Sequence, residues 1–167
     1  IAEAGVNHNG DPKLAMDLID VAKDANADAV KFQTWKPGEL TGKYAIKTSY
    51  MKGLTPEEES RSDISSRLCL SYEVFRNLQN YAIQKGILFL STPDGFESLN
   101  YLSDKLNIPY IKIGSSELNH LQFLKAASEK KKPIILSTGL GTMKEVQSAI
   151  EILRKGDPHL PLVVLQC

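Results

Sequence analysis

Six short apolar runs, separated by stretches of helical period, constrain this chain more than any other feature. They cover residues 1–5, 29–34, 87–92, 110–114, 133–138 and 162–167. Each is short and rich in β-branched or aromatic residues, which favours strands over buried helices. Between them Leu14, Leu18, Ile19, Val21 and Ala22 recur at helical spacing, behind Asp11 as N-cap and Pro12 in the first turn. Val74, Phe75, Leu78, Tyr81 and Ala82 mark a second helix that Gly86 closes. Thr142 and Glu145 form a capping box for a helix running to Gly156, and segments 95–106 and 120–131 complete the set. Strict alternation of strand and helix requires a parallel sheet with helical crossovers. Nearly continuous apolar strands suit a sheet covered on both faces. A barrel and an open doubly wound sheet both satisfy this pattern.

One connection breaks the rhythm. Residues 36–70 are polar and irregular, and Thr55-Pro56-Glu57-Glu58 reads as the cap of a short helix there. An insertion of this length in a strand-to-helix loop shapes a site or an oligomer contact, or is a solvated excursion.

Bulk properties exclude several classes. The 167 residues carry 20 basic and 20 acidic side chains, so no net field attracts nucleic acid or an anionic membrane. No apolar run approaches the roughly 20 residues of a membrane span. Cys69 and Cys167 lie far apart and form no metal-type pair, which fits a reducing cytoplasmic setting. The chain opens with Ile1-Ala2-Glu3, with no signal peptide in view, and the start of the gene product is expected upstream. Strands one and six would expose sheet edges, so the chain is read as part of a larger barrel.

The chemical signal is polar residues lodged in or ending apolar strands. Strand side chains alternate faces, so Lys31 and Gln33 share one face while Val30 and Phe32 share the other. Lys112 likewise points away from Ile111 and Ile113. In a barrel the C-terminal strand ends build the active site. Six strands then deliver Glu3, Lys31, Gln33, Thr92, Lys112, Ser115, Glu117 and Ser137 to one mouth. Buried lysines are rare unless paired. Two of them among hydroxyls suit a small, multiply charged anion, although either could form a structural ion pair with Glu3 or Glu117. His8 in the turn after the first strand reads as ordering that loop or lining the site, and His120 and His159 read as surface residues. Gly139-Leu140-Gly141 is either an anion-facing turn or a plain strand-to-helix turn.

These residues carry a family resemblance. The segment from Glu3 to Gly10, E-A-G-V-N-H-N-G, resembles the opening motif of the sialic acid synthase family. Val30-Lys31-Phe32-Gln33-Thr34, Ser91-Thr92-Pro93, the run from Lys112 to Glu117 and Leu136-Ser137-Thr138-Gly139 are similar to its later motifs, in order and at natural spacing. Asp94-Gly95 stands where several sialic acid synthases have an aromatic residue, which resembles the legionaminic branch.

The resemblance implies an α/β fold, a parallel (β/α)8 TIM-type barrel of which residues 1–167 supply about six strands. The rest of the barrel and a C-terminal antifreeze-like domain would lie elsewhere in the protein. It implies condensation of phosphoenolpyruvate with an N-acetylated amino sugar, N-acetylmannosamine or a 2,4-diacetamido hexose, with release of phosphate. By matching position Lys31, Thr92, Lys112, Ser115 and Ser137 would hold phosphoenolpyruvate. Gln33 and Glu117 would contact the sugar, and Glu3 and Glu117 would be the catalytic carboxylates. A divalent metal, manganese or magnesium, would be held by residues outside this chain, and the full-length protein would be a homodimer. Two other readings remain at this stage: a Schiff-base aldolase using Lys112 as nucleophile, and a non-catalytic sugar-binding barrel subunit.

Overall fold

In the computed structural model, residues 1–42, 45–47, 53 and 55–166 are described. Six parallel strands alternate with helices in chain order. They are β1 (Ala2–Gly5), β2 (Ala29–Thr34), β3 (Leu88–Pro93), β4 (Ile111–Ile113), β5 (Ile134–Ser137) and β6 (Leu162–Leu165). Each strand falls on one of the apolar runs of the sequence: β2 fills its run, β3 is shifted by one residue to end at Pro93, and the others are trimmed. The end of the last run, Cys167, lies outside the described residues.

The strand order is β1-β2-β3 in one ladder and β4-β5-β6 in another. An order that never doubles back is that of a barrel wall. A doubly wound sheet reverses direction at a switch point. The expected continuous sheet is instead two three-stranded ladders. Their break falls between β3 and β4, the shortest strand, with only three residues to pair. The two strand ends still adjoin, because a Cβ on Gly114 would sit 3.6 Å from Thr92 Cγ2.

Helix α1 (Pro12–Asp24) begins as expected, with Asp11 accepting from the Lys13 N–H and Pro12 at the first position. Helix α2 (Arg61–Leu68) lies in the long connection, but it does not start at Thr55. Ser60 caps it through a reciprocal box with Asp63, whose side chain accepts from the Ser60 N–H at 3.0 Å. A shorter acidic side chain does here what Glu or Gln does in the common box. Helix α3 (Tyr72–Lys85) ends at Gly86 with φ 66°. Helix α4 (Phe96–Asn100) widens into a π-helical segment over Tyr101–Lys105, where the sequence predicts one helix over 95–106. There the Leu106 N–H reaches back to Tyr101 O, while the Ser103 hydroxyl donates to Leu99 O at 2.6 Å. Helix α5 (Leu121–Glu129) and helix α6 (Met143–Arg154) follow, the latter capped by the Thr142 and Glu145 box.

Two apolar clusters hold these elements. Phe32, Phe75, Leu78 and Phe89 centre one, under β1 to β3. Phe123, Leu124, Leu136 and Leu153 centre the other, under β4 to β6. At roughly 1.5–3 kcal/mol for each fully buried large apolar side chain, such clusters are the main favourable term for the fold. No helix among the described residues is long and apolar enough to cross a membrane.

Candidate active site

The turn after β1 is built to be covered. His8 is fully buried against the Phe32 ring, at 6.2 Å between centroids, and its Nδ1 accepts from the Gly10 N–H at 3.0 Å. That bond makes His8 an organiser of the turn. Burial lowers its pKa and keeps the ring neutral, and Nε2 has no partner among the described residues. Gly10 has φ 82°, and a Cβ there would lie 2.3 Å from Arg67 O. Only glycine lets the end of α2 pack over this turn.

Next to it the strand lysines sit where face alternation places them. Glu3 and Lys31 are register partners across β1 and β2, and Gln33 faces Thr92 across β2 and β3. Lys31 Nζ lies 2.5 Å from Glu3 Oε2 and donates to Thr92 Oγ1 at 3.1 Å. Lys31 is buried, whereas the Glu3 side chain is half exposed. Lys112, equally buried on β4, donates to Ser137 Oγ on β5 at 2.7 Å and to Ile113 O at 3.0 Å. Each lysine therefore meets a hydroxyl supplied by the following strand. The alternative of a structural ion pair holds in part for Lys31, whose partner is Glu3.

Glu117 closes a 3₁₀ turn (Ser115–Glu117) directly after β4. It lines a cavity of about 330 Å³ together with Asp94, Phe96 and His120. His120 is exposed, as the sequence predicts, and it also bonds Glu117 Oε2 through Nδ1 at 2.7 Å. Asp94 was read from sequence only as a branch marker. Its N–H is tied to Thr34 O at 2.8 Å, and its carboxyl is pushed up to about 7. Burial is the main cause and the charge of Glu117 adds to it, while Lys31 and Lys112 act the other way. Asp94 thus lies within the field of both lysines and Glu117. It is the residue that links them. The sequence signal was there: a carboxylate immediately after a strand end, on the side where a barrel does its chemistry.

Two expected site residues line other cavities. Gln33 borders a space of about 200 Å³ under α2, with Trp35, Ile64 and Ser65 among its walls. Ser115 borders a third cavity with Asn119, Thr138 and Glu145. A Cβ on Gly139, whose φ is 52°, would come within 2.6 Å of Ser115, so this glycine admits the Ser115 side chain. The Gly139-Leu140-Gly141 segment is at least in part a plain turn, since the Gly141 N–H donates to Thr138 O at 2.9 Å.

A sequential, all-parallel β/α fold with two buried lysines on its strands, close to a pocket lined by carboxylates, defines a barrel-type protein. The sequence profile of the NeuB family matches residues 18–167, and the chain belongs to that family. It is 39% identical over 168 residues to the N,N'-diacetyllegionaminic acid synthase of Campylobacter jejuni, covering 100% of this chain and 50% of that protein. It is 40% identical over 154 residues to the enzyme of the same name from Legionella pneumophila, covering 92% of this chain and 43% of that one. The crystal structure of an N-acetylneuraminic acid synthetase from Leptospira borgpetersenii superposes with a TM-score of 0.83 at 30% identity, over 99% of this chain and 52% of that one. The chain spans about half the length of the relatives it matches.

Proposed function

We propose that the protein carrying this chain condenses phosphoenolpyruvate with an N-acetylated amino sugar and releases phosphate. The observation that carries this reading is the pair of buried lysines, each bonded to a hydroxyl from the next strand. Phosphoenolpyruvate brings a phosphate and a carboxylate. Lys31 with Thr92 and Lys112 with Ser137 supply charge-assisted donors for them. Ser115 and Gln33 would join from the flanking cavities. Glu117 and Asp94 offer acceptors to the hydroxyl and amide N–H groups of the sugar. In the reaction the methylene carbon of phosphoenolpyruvate bonds to the sugar aldehyde carbon, whose oxygen takes a proton. Water adds at C2, and the bond from C2 to the phosphate oxygen then breaks. Glu3, beside Lys31, would hold a proton in that sequence.

The names of the two relatives above favour a 2,4-diacetamido hexose over N-acetylmannosamine, in keeping with Asp94 in place of an aromatic residue. Among the described residues no group of three or more His, Cys, Asp or Glu is arranged to hold a metal ion. These residues do not fit the divalent ion that the resemblance implies. Its ligands would lie outside this chain. A complete eight-stranded barrel with an antifreeze-like domain, a homodimer and a cytoplasmic setting belong to the same proposal.

The test is phosphate release by the full-length protein with phosphoenolpyruvate, manganese and a panel of amino sugars. Release that depends on the sugar and stops with a chelator is the expected result. Pyruvate release together with a borohydride-trapped adduct on Lys112 would replace this reading with an aldolase.

A further inference from the structure

Glu117 carries two expected roles, yet a glutamate has three rotatable side-chain bonds to order before it can serve either. The structure holds it from one side. His120 follows it by three residues, and the two are locked by the His120 N–H donating to Glu117 O at 3.0 Å. The imidazole Nδ1–H then donates to Glu117 Oε2 at 2.7 Å. The ring is itself held. Phe123 on α5 stacks on it with centroids 5.7 Å apart and planes at 24°. Phe96 on α4 meets it edge-on at 5.5 Å and 86°. Phe123 is fully buried, so one side of the clamp is anchored in the core of the second apolar cluster, while Phe96 and the imidazole itself reach the surface. Asp94 and Glu39 stand on other walls of the same cavity, and Lys31 and Lys112 lie within the electrostatic reach of Asp94.

We propose that His120 is a positioning residue: clamped between Phe96 and Phe123, it holds one oxygen of Glu117 and leaves the other to accept from the amino sugar in the cavity shared with Asp94. This rests on the function proposed above for its ligand, but the clamp is a property of the chain alone. Holding a carboxylate before the substrate arrives removes an ordering cost from binding. Sugar binding, not phosphoenolpyruvate binding, should therefore suffer when the clamp is cut.

The experiment uses the full-length protein with His120→Ala, His120→Asn and Glu117→Ala. In His120→Asn the side-chain amide N–H can take the place of Nδ1–H. Expected is a rise of about tenfold in KM for the sugar in His120→Ala, matching the loss of one charge-assisted hydrogen bond. KM for phosphoenolpyruvate should stay within about twofold, and His120→Asn should recover most of the loss. Equal loss for both substrates, or no change in either, would overturn the proposal. A second readout needs no turnover. In the ¹H–¹⁵N spectrum the His120 Nδ1–H should exchange with solvent more slowly in the unmutated protein than in Glu117→Ala. Equal exchange in both would also overturn it. A protein that never releases phosphate but keeps the slow Nδ1–H would remove the proposed function and leave the clamp standing.

Discussion

The two halves of the molecule repeat the same β/α unit and treat its lysine differently. In the first half Lys31 sits on a middle strand and is bracketed by Glu3 from β1 and Thr92 from β3. In the second half Lys112 sits on β4 and bonds Ser137 from β5 and the Ile113 carbonyl. The first half carries the long connection with α2, packed over the β1 turn through Gly10. In the second half β5 leads to α6 through a short turn, and Val163 and Val164 on β6 are left exposed at 54% and 39%. The difference shows that the repeated unit supplies a buried lysine, and that its neighbours decide which groups it meets. The halves meet in one helix: Leu99 of α4 packs with the second cluster and Leu102, one turn on, with the first.

The strongest way to break this comparison is to cut each cluster separately. Phe75→Ala and Phe123→Ala each remove a fully buried ring and should cost about 3–5 kcal/mol. Because α4 joins the clusters, both should lower one common unfolding transition in calorimetry of the full-length protein. Two separate transitions, each moved by only one variant, would show the halves to be independent. Next in size is the lysine pair. Lys31→Met and Lys112→Met should each lower kcat/KM for phosphoenolpyruvate about 100-fold, the loss of one partner in a buried charged contact. A fall in only one variant would confine the anion site to one half.

Asp94 sharpens the comparison at the seam. Its folded pKa of about 7 lies above the ordinary 3.8. Between those values the folded chain keeps a proton that the unfolded chain has lost. Its contribution to stability is therefore full at low pH and disappears as pH rises through about 7. Asp94→Asn should gain stability relative to the unmutated protein across that window, read from urea midpoints at stepped pH. A constant difference would mean that the carboxyl is not perturbed. The smallest effects are the helix caps. Ser60→Ala in the insertion and Thr142→Ala before α6 should each cost about 1 kcal/mol. In hydrogen exchange the first should loosen α2 alone, whereas the second should lower protection across the second half.

Much of the fold was legible because its signals are local. Face alternation alone placed Lys31 opposite Phe32, and the structure buries both on the predicted sides. Asp11, Gly86 and the Thr142 box worked as read, since a cap needs only the first or last turn of its helix. Thr55 failed because a Thr-Pro-Glu-Glu string resembles a helix start. The complete reciprocal box five residues later, at Ser60 and Asp63, was the better signal. The π-helical segment at Tyr101–Lys105 was out of reach. It coincides with tertiary contacts, including stacking of Tyr101 on Tyr72 at 4.0 Å and a hydrogen bond from its hydroxyl to the Tyr72 carbonyl. For the site, the motif residues pointed to an anion-binding mouth, yet Gln33 and Ser115 turned out to face separate cavities.

The sequence by itself determined the alternation of strand and helix, the face of each strand that carries charge and the family to which those motifs belong. All of these depend on periodicity and residue type along the chain. Only the tertiary structure decided that β3 and β4 break the ladder, that Glu3 rather than Glu117 pairs with Lys31, and that burial raises the Asp94 carboxyl against the pull of two lysines. It also showed His120 gripping Glu117. These depend on separations across the fold, and electrostatic effects in a buried site follow distance and desolvation, which no residue carries alone.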